Sequence, residues 1–314
     1  MNLDSLSSAP RLLAEVDLHP AQGTRFQPTG FPDLGAAEYR VGGRRMLLVE
    51  SAQSMANRLE AVCWDEASGD LIQPLKGLPY VRAKLPDGRE TSSILEAHRL
   101  NSPYIVNSKG FAAIAEKIGF EKDAPFDRRG LAKALLCFDP SSLIHGIFLE
   151  KVGGVVRLPR AVSAFIEASD VDVAASGGVK VDRVQPGTEG ENTKYGKAAE
   201  GYGNVPYHRE EYAAAKITAF FNLDLALLRG YGLPASAEQL LIALSLFKIQ
   251  RFLRNGLRLR TACDLDVGEV RVTRPVGFAL PSLEELEQAL PDLIKRASEH
   301  FNNPPVLVVE YSKK

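Results

Sequence analysis

Methionine, tryptophan and cysteine are scarce in this 314-residue chain, which holds three, one and three of them. Cys63, Cys137 and Cys263 stand far apart in apolar or strand-like contexts, without the close pairing that a zinc site or redox motif requires. They read as buried free thiols in a reducing compartment. The five histidines show no metal-ligand spacing either. The longest apolar run, Leu240 to Phe247, is far too short to span a bilayer, and the N-terminus lacks the basic-then-apolar pattern of a signal peptide. A cytoplasmic protein with no membrane partner is therefore expected. Net charge is nearly absent as well: 38 Lys and Arg against 39 Asp and Glu leave −1, which removes a global electrostatic argument for nucleic acid but not a local one. No G-x-x-x-x-G-K, G-x-G-x-x-G or G-x-S-x-G motif stands between a strand and a helix, so nucleotide hydrolysis, dinucleotide binding and hydrolase chemistry lack their usual marks. No cofactor is implied.

What is present is an ordinary globular composition, 45% hydrophobic and 25% charged, in a chain long enough for one large or two modest domains. The stretch from Ser163 to Glu210 is the exception. Val171, Val173, Val179 and Val181 alternate around Gly177-Gly178, which predicts two half-buried strands joined by a tight hairpin turn. From Gln185 to Asn204 there is no Val, Ile, Leu, Phe or Met, and such a segment cannot bury a core of its own. Two readings stand: a disordered surface loop, or an arm that orders when it closes on a partner. Glycine permits the bending, and Lys180, Arg183, Lys194 and Lys197 suit an anionic ligand.

Along the rest of the chain, residues 1–40, with Pro10, Pro20, Pro28 and Pro32, predict an extended segment wrapped over the domain. A strand over Arg44 to Val49 follows, and Ser51 opens a helix in which Ala52, Met55, Ala56 and Leu59 form one apolar face. Gln53 and Asn57 lie opposite with Arg58 on their flank. A helix start offers free backbone N–H groups to an anion, and these three side chains add donors; a plain solvated helix face is the alternative. Residues 64–138 read as short mixed elements: a helix over ILEAHRL capped by Ser92 or Ser93, a second from Phe111 to Ile118 stopping at Gly119, and a third after Asp127. His98, Arg99, Arg128, Arg129 and Lys133 cluster basic character there, with ordinary surface charge as the alternative. Leu143 to Leu149 reads as a central strand with His145 as a core histidine, and Leu158 to Ser169 as the next, led in by Arg157 and Arg160. After the apolar run Tyr212 to Leu228, Ser236 with Gln239 in the capping-box position opens the clearest helix. Lys248, Arg251, Arg254, Arg258 and Arg260 are five cations without an acid between Phe247 and Arg260; Arg258 and Arg260 alternate along a strand, which suits a phosphate backbone. Acid–base chemistry would fall to Asp172, Asp182 or His208, although nothing selects them from structural roles.

In order, strands at about 45–50, 143–149, 158–170 and 257–264 or 268–273, with helices at 51–62 and 236–254, spell β-α-β-β-α-β. This is an α+β fold of ferredoxin-like or RRM-like order, with two helices on one face and an open face available to RNA. Two large insertions interrupt it, at 64–138 and 171–235.

The blocks VESAQSMANRLE, SILEAHRL, DPSSLIHGIFLE, RLPRAVSAFIEAS with SGGVKVDR, YHREEY followed by KITAFFNLDLALLRGYGL, and LRLRTACDL together resemble the backbone subunit of type I-G (formerly I-U) CRISPR Cascade, a RAMP-superfamily protein of the Cas-seven family, Csb-one group. The resemblance runs from about residue 40 to 273. It implies a right-hand shape: an RRM-like palm from 41–63, 139–170 and 211–280, fingers from 64–138 and a Gly-rich thumb from 171–210, with 1–40 and 281–314 outside. It also implies copies polymerised head to tail along CRISPR RNA beside other Cascade subunits, and target DNA recognised through guide pairing. Gln53, Asn57 and Arg58 match the palm helix start that contacts RNA phosphate. Arg44, Arg45, His98, Arg99, Lys180, Arg183, Lys194, Lys197, Lys248, Arg251, Arg258 and Arg260 complete the RNA-binding candidates, with no catalytic or metal residue among them. A RAMP endoribonuclease acting on CRISPR RNA or target RNA is the alternative, since related type III backbones cut target RNA with an acidic residue.

Overall fold

The structure, a computed structural model, describes residues 3–31, 33–119, 126–152, 156–180 and 205–312. Arg11–Pro20 (β1) alternates buried Leu12, Ala14, Val16 and Leu18 with more exposed neighbours, the period of a half-buried strand. Arg25–Phe26 (β2), Gly30–Phe31 (β3) and Gly35–Ala36 (β4) are short; Glu38–Val41 (β5) and Arg44–Glu50 (β6) pair antiparallel. Ser51 then caps Ala52–Ala61 (α1), its hydroxyl accepting from the Ser54 N–H at 3.3 Å.

The next segment holds the paired Trp64–Asp65 (β7) and Asp70–Leu71 (β8), then Tyr80–Lys84 (β9), Glu90–Ser92 (β10), Pro103–Val106 (α2) and Phe111–Ile118 (α3), which stops at left-handed Gly119. Arg128–Phe138 (α4) is capped by Asp127 and Pro140–His145 (α5) by Asp139. Ile147–Leu149 (β11) and Val156–Leu158 (β12) form a separate two-stranded ribbon. Two long strands follow, Val162–Lys180 (β13) and Val205–Asp224 (β14), then Leu225–Gly230 (α6), Ala235–Arg254 (α7), Leu257–Arg260 (β15), Cys263–Arg274 (β16), Leu283–Ala297 (α8) and Val306–Glu310 (β17).

The main sheet runs β15-β16-β1-β14-β13-β6-β5, with β2 beside β14, and every pairing in it is antiparallel. A smaller sheet, β10-β9-β17, places β17 parallel to β9. α1 packs against β13 and α7, and α8 covers α7. Leu240, Leu241, Ala243, Leu244, Leu246 and Phe247 are all buried, so α7 is apolar around most of its girth and forms the centre of the core. No helix among the described residues is long and apolar enough to cross a membrane.

The strand at 44–50, the helix from Ser51, α3 with its Gly119 stop, α4 after Asp127 and the end of α7 at Arg254 agree with the sequence reading. Five elements differ. Arg11–Pro20, expected to wrap over the domain, is an interior strand hydrogen-bonded to both β14 and β16; its alternation of apolar residues outweighs the flanking prolines. ILEAHRL forms turns and a 3-10 turn at Arg99–Asn101, because Ser93 takes the Val81 N–H at 3.2 Å and Arg99 adopts φ +52°. Leu143–Leu149 is no central strand: Asp139 capping and Pro140 at the first helical position wind Pro140–His145 into α5, which Gly146 ends at φ +75°.

β13 passes straight through Gly177-Gly178, opposite His208 and Tyr207, instead of turning there. A Cβ on Gly177 would lie 2.4 Å from the Tyr207 carbonyl oxygen, so this glycine serves close strand approach. Finally, Pro234 rather than Ser236 precedes α7 as its cap, with no capping side chain.

Candidate nucleic-acid interface

β11 and β12 alternate strictly. Ile147, Leu149, Val156 and Leu158 are buried, so Phe148 and its cross-strand partner Arg157 face outward. The Arg157 guanidinium carbon sits 4.4 Å from the centre of the Phe148 ring, within cation–π range. Facing this ribbon across a cleft of about 610 Å³ are Gln53 and Asn57 of α1, the exposed His98 and Arg160. Arg160 donates to the Gln53 side-chain oxygen. No acidic residue lines the cleft, and neither Arg157 nor Arg160 has a carboxylate partner among the described residues. Burial and the nearby Arg99 cation push the Arg160 guanidinium down from its usual value, yet arginine stays protonated in proteins. Buried Glu60, itself bonded to Arg99, acts the other way, and a partly desolvated cation outside an ion pair is stabilised by an anion arriving from solution.

Behind the cleft's lining, Asn57 Oδ1 and His145 Nδ1 are buried and have no hydrogen-bond partner among the described residues. His145 is buried, with Lys248 Nζ 2.9 Å from its Nε2. An ammonium group only donates, so Nε2 accepts and the proton of the neutral imidazole belongs on Nδ1. Burial, then the Lys248 and Arg99 cations, hold this histidine well below its ordinary pKa and hence neutral. The cleft thus offers two arginines outside any ion pair among the described residues and an aromatic face.

The other candidates are distributed as follows. Arg99 is buried and doubly bonded to buried Glu60, at 2.7 and 2.5 Å. Lys248 is 1% exposed, held by His145 and by Ser141 Oγ at 3.0 Å. Both are therefore withdrawn as phosphate contacts. Arg58 and Arg260 converge on Glu50, which is 1% exposed; Arg58 also donates to the Leu259 carbonyl and Arg260 to that of Gln27. Arg44 is doubly bonded to Asp170 and Arg45 to Glu38, while Arg251 meets Glu287 at 3.0 Å.

Arg258 and Arg260 do not share one presented face. The pairing register shifts between them, leaving Arg258 exposed beside Asp264 and Arg260 turned to Glu50. Lys180 is exposed at the end of β13; Arg183, Lys194 and Lys197, like Asp182, lie outside the described residues. Of the predicted residues the fold brings Gln53 and Asn57 to this cleft, together with His98 and the Glu60-bonded Arg99 from the following insertion, and no acid lines it among the described residues. A smaller acid-free cleft, lined by Arg58, Asn255 and Arg258, borders the other side of α1.

On the open face of the sheet Phe165 and Phe220 stack at the centre, 5.1 Å apart, with Glu15, Asp17 and Glu167 on the same face. Arg271 bridges to Glu15 and Asp17 and Lys216 to Asp17, and Arg271 holds the Asp17 carboxyl down at about 2. Cations thus offset much of the negative charge there. A larger cleft of about 640 Å³ at the base of the β13–β14 ribbon includes Glu210, and its Arg209 is already bonded to Gln27 at 3.1 Å.

Asp172 and His208, candidates for acid–base work, pair with Ala213 and Gly177 respectively; five rungs of ladder, about 17 Å, part them. No group of three or more His, Cys, Asp or Glu among the described residues could hold a metal ion. Sequence reasoning noted Arg157 and Arg160 but left them out of the site, and it missed Phe148. The available signal was the alternation of Ile147/Leu149 and Val156/Leu158 around outward Phe148 and Arg157.

Residues 12–173, just over half of the chain, match the family model described as CRISPR-associated protein GSU0053. The chain belongs to the GSU0053 family of CRISPR-associated proteins. The matched region of this GSU0053-family chain contains β1, α1, the β11–β12 ribbon and most of the acid-free cleft's lining. Among solved structures it is similar to a chain of a "CRISPR RNA-guided surveillance complex, pre-nicking", at 15% identity and TM-score 0.40 over 92% of this chain and 89% of that one. It is also similar to a chain of a "CRISPR RNA-guided surveillance complex", at 14% identity and TM-score 0.36 over 91% and 84%. A third similar structure is Csc2 of Thermofilum pendens, at 13% identity and TM-score 0.31 over 94% and 79%. No curated protein matches the chain.

Proposed function

We propose that this chain is a non-catalytic backbone subunit that binds CRISPR RNA in a type I-G Cascade, polymerising head to tail along the guide so that target DNA is read by base pairing. One observation carries the reading: an acid-free cleft against α1 in which Arg157 and Arg160 have no carboxylate partner. Membership of a CRISPR-associated family supplies the context. The antiparallel run β16-β1-β14-β13, joined through α1 and α7, supports reading these strands as an RRM-like unit. In this reading they are the palm, 64–138 the fingers and the β13–β14 ribbon the root of the thumb. RNA lies along α1 at the helix side.

The separation of Asp172 from His208 along the ladder favours binding over cleavage. The test is purification of the tagged chain after co-expression with a CRISPR array. RNA of repeat-spacer length should co-purify in multimeric particles and remain uncut on incubation. A nucleic-acid-free monomer with no affinity for such RNA would overturn the proposal, and fragmentation of the RNA would favour a ribonuclease.

A further inference from the structure

Resting on that reading, we infer that Phe148 and Arg157 form a stacking platform for one nucleobase of single-stranded RNA, with Arg160 taking the adjoining phosphate. The observations are independent of the overall fold likeness. Phe148 is 36% exposed on a ribbon whose flanking Ile147, Leu149, Val156 and Leu158 are buried. Its outward ring is accompanied by the Arg157 guanidinium from the paired strand.

Some exposed arginines are matched by acids, as in Arg44–Asp170, Arg89–Asp87 and Arg254–Glu284, while Arg128 and Arg129, like Arg157 and Arg160, stand in no ion pair among the described residues. What sets Arg157 and Arg160 apart is the outward aromatic ring of Phe148 beside them in one cleft. A polyanion without bases would satisfy the arginines but not the ring. A nucleotide satisfies both, since its phosphate meets the arginines and its base has a π-face. The platform is sequence-tolerant in principle, as suits a protein whose RNA differs from one copy to the next.

The experiment measures binding of the full chain to an eight-nucleotide single-stranded RNA and to inorganic polyphosphate of matched charge. Variants are Phe148→Ala, Phe148→Tyr and Arg160→Ala. Phe148→Ala should weaken RNA binding by roughly 5- to 150-fold, the factor associated with one base stacked on an aromatic side chain. Its polyphosphate binding should stay unchanged, and Phe148→Tyr should restore RNA affinity. Arg160→Ala should weaken both ligands. A 2-aminopurine in the RNA should change fluorescence on binding wild type but not Phe148→Ala.

Equal RNA affinity for wild type and Phe148→Ala overturns the platform while leaving RNA binding intact. Equal loss toward polyphosphate also overturns it, by assigning Phe148 a structural role. Absence of RNA binding by wild type overturns the preceding proposal and this one with it.

Discussion

Glu60, Arg99, Asp139, His145 and Lys248 lie together in the core beneath the cleft, all buried. Burial pushes the Glu60 carboxyl up to about 7, against the lowering by Arg99 and Lys248, and Asp139 up to about 6. The double bond from Arg99 favours ionised Glu60, so the net rise means that desolvation outweighs the pair. A raised carboxyl contributes stability that is whole below its ordinary range and is lost as pH rises through its folded value. His145 runs the other way: held neutral, its share is lost as pH falls below its ordinary 6.5. Between pH 5 and pH 8, Glu60→Gln should therefore show a smaller fall in stability than wild type, read from urea midpoints at both pH values; parallel falls would contradict this. Gly146 presents a second test. Its φ is +75°, and a Cβ there would meet the Leu158 carbonyl oxygen at 2.8 Å and the Arg160 nitrogen at 3.0 Å. Gly146→Ala should cost about 1–3 kcal/mol of stability and displace the cleft's floor, so its urea midpoint and its RNA affinity should fall together.

Among the elements, β13 and β14 form an uninterrupted ladder from Val162 opposite Leu223 out to Lys180 opposite Val205. Their inner half is anchored by buried Ala164, Ile166, Ala168, Ala219 and Phe221; their outer half carries exposed Val173, Val179 and Tyr207. Local stability should fall along the ribbon accordingly. Gly177→Ala, which puts a methyl group against the Tyr207 carbonyl, should speed amide exchange from Ser176 to Lys180 and Val205 to Arg209. It should leave the exchange of β1 and α7 unchanged, and general acceleration would show that the ribbon is not an independent unit. The hairpin expected at Gly177-Gly178 was legible as glycine needed for backbone reasons, but the reason is a neighbouring strand's carbonyl, supplied by residues thirty positions downstream. By contrast α1, α3 and α4 were legible to within a residue, because Ser51, Gly119 and Asp127 act on backbone groups of their own turns.

For the whole molecule, a formal charge of −1 conceals uneven pairing rather than one basic face. Carboxylates hold Arg44, Arg45, Arg58, Arg260 and Arg271, whereas Arg157 and Arg160 at the α1 cleft stand in no ion pair among the described residues. Affinity for single-stranded RNA should fall with rising salt, and Arg160→Ala should lower the log–log slope by about 0.7, the share of one phosphate contact. A variant of an arginine already paired, Arg45→Ala, should leave that slope unchanged; titrations at several salt concentrations distinguish the two. By itself the sequence determined the Ser51 and Asp127 caps with the helices they open, the Gly119 stop and the strand before α1, all set by interactions within a few residues. Only the tertiary structure decided that Arg11–Pro20 lies between β14 and β16, that Lys248 and Arg99 are sealed in the core, and that Phe148, Arg157 and Arg160 meet α1 across one cleft. Those outcomes depend on strand partners and burial, which long-range packing settles and local pattern does not.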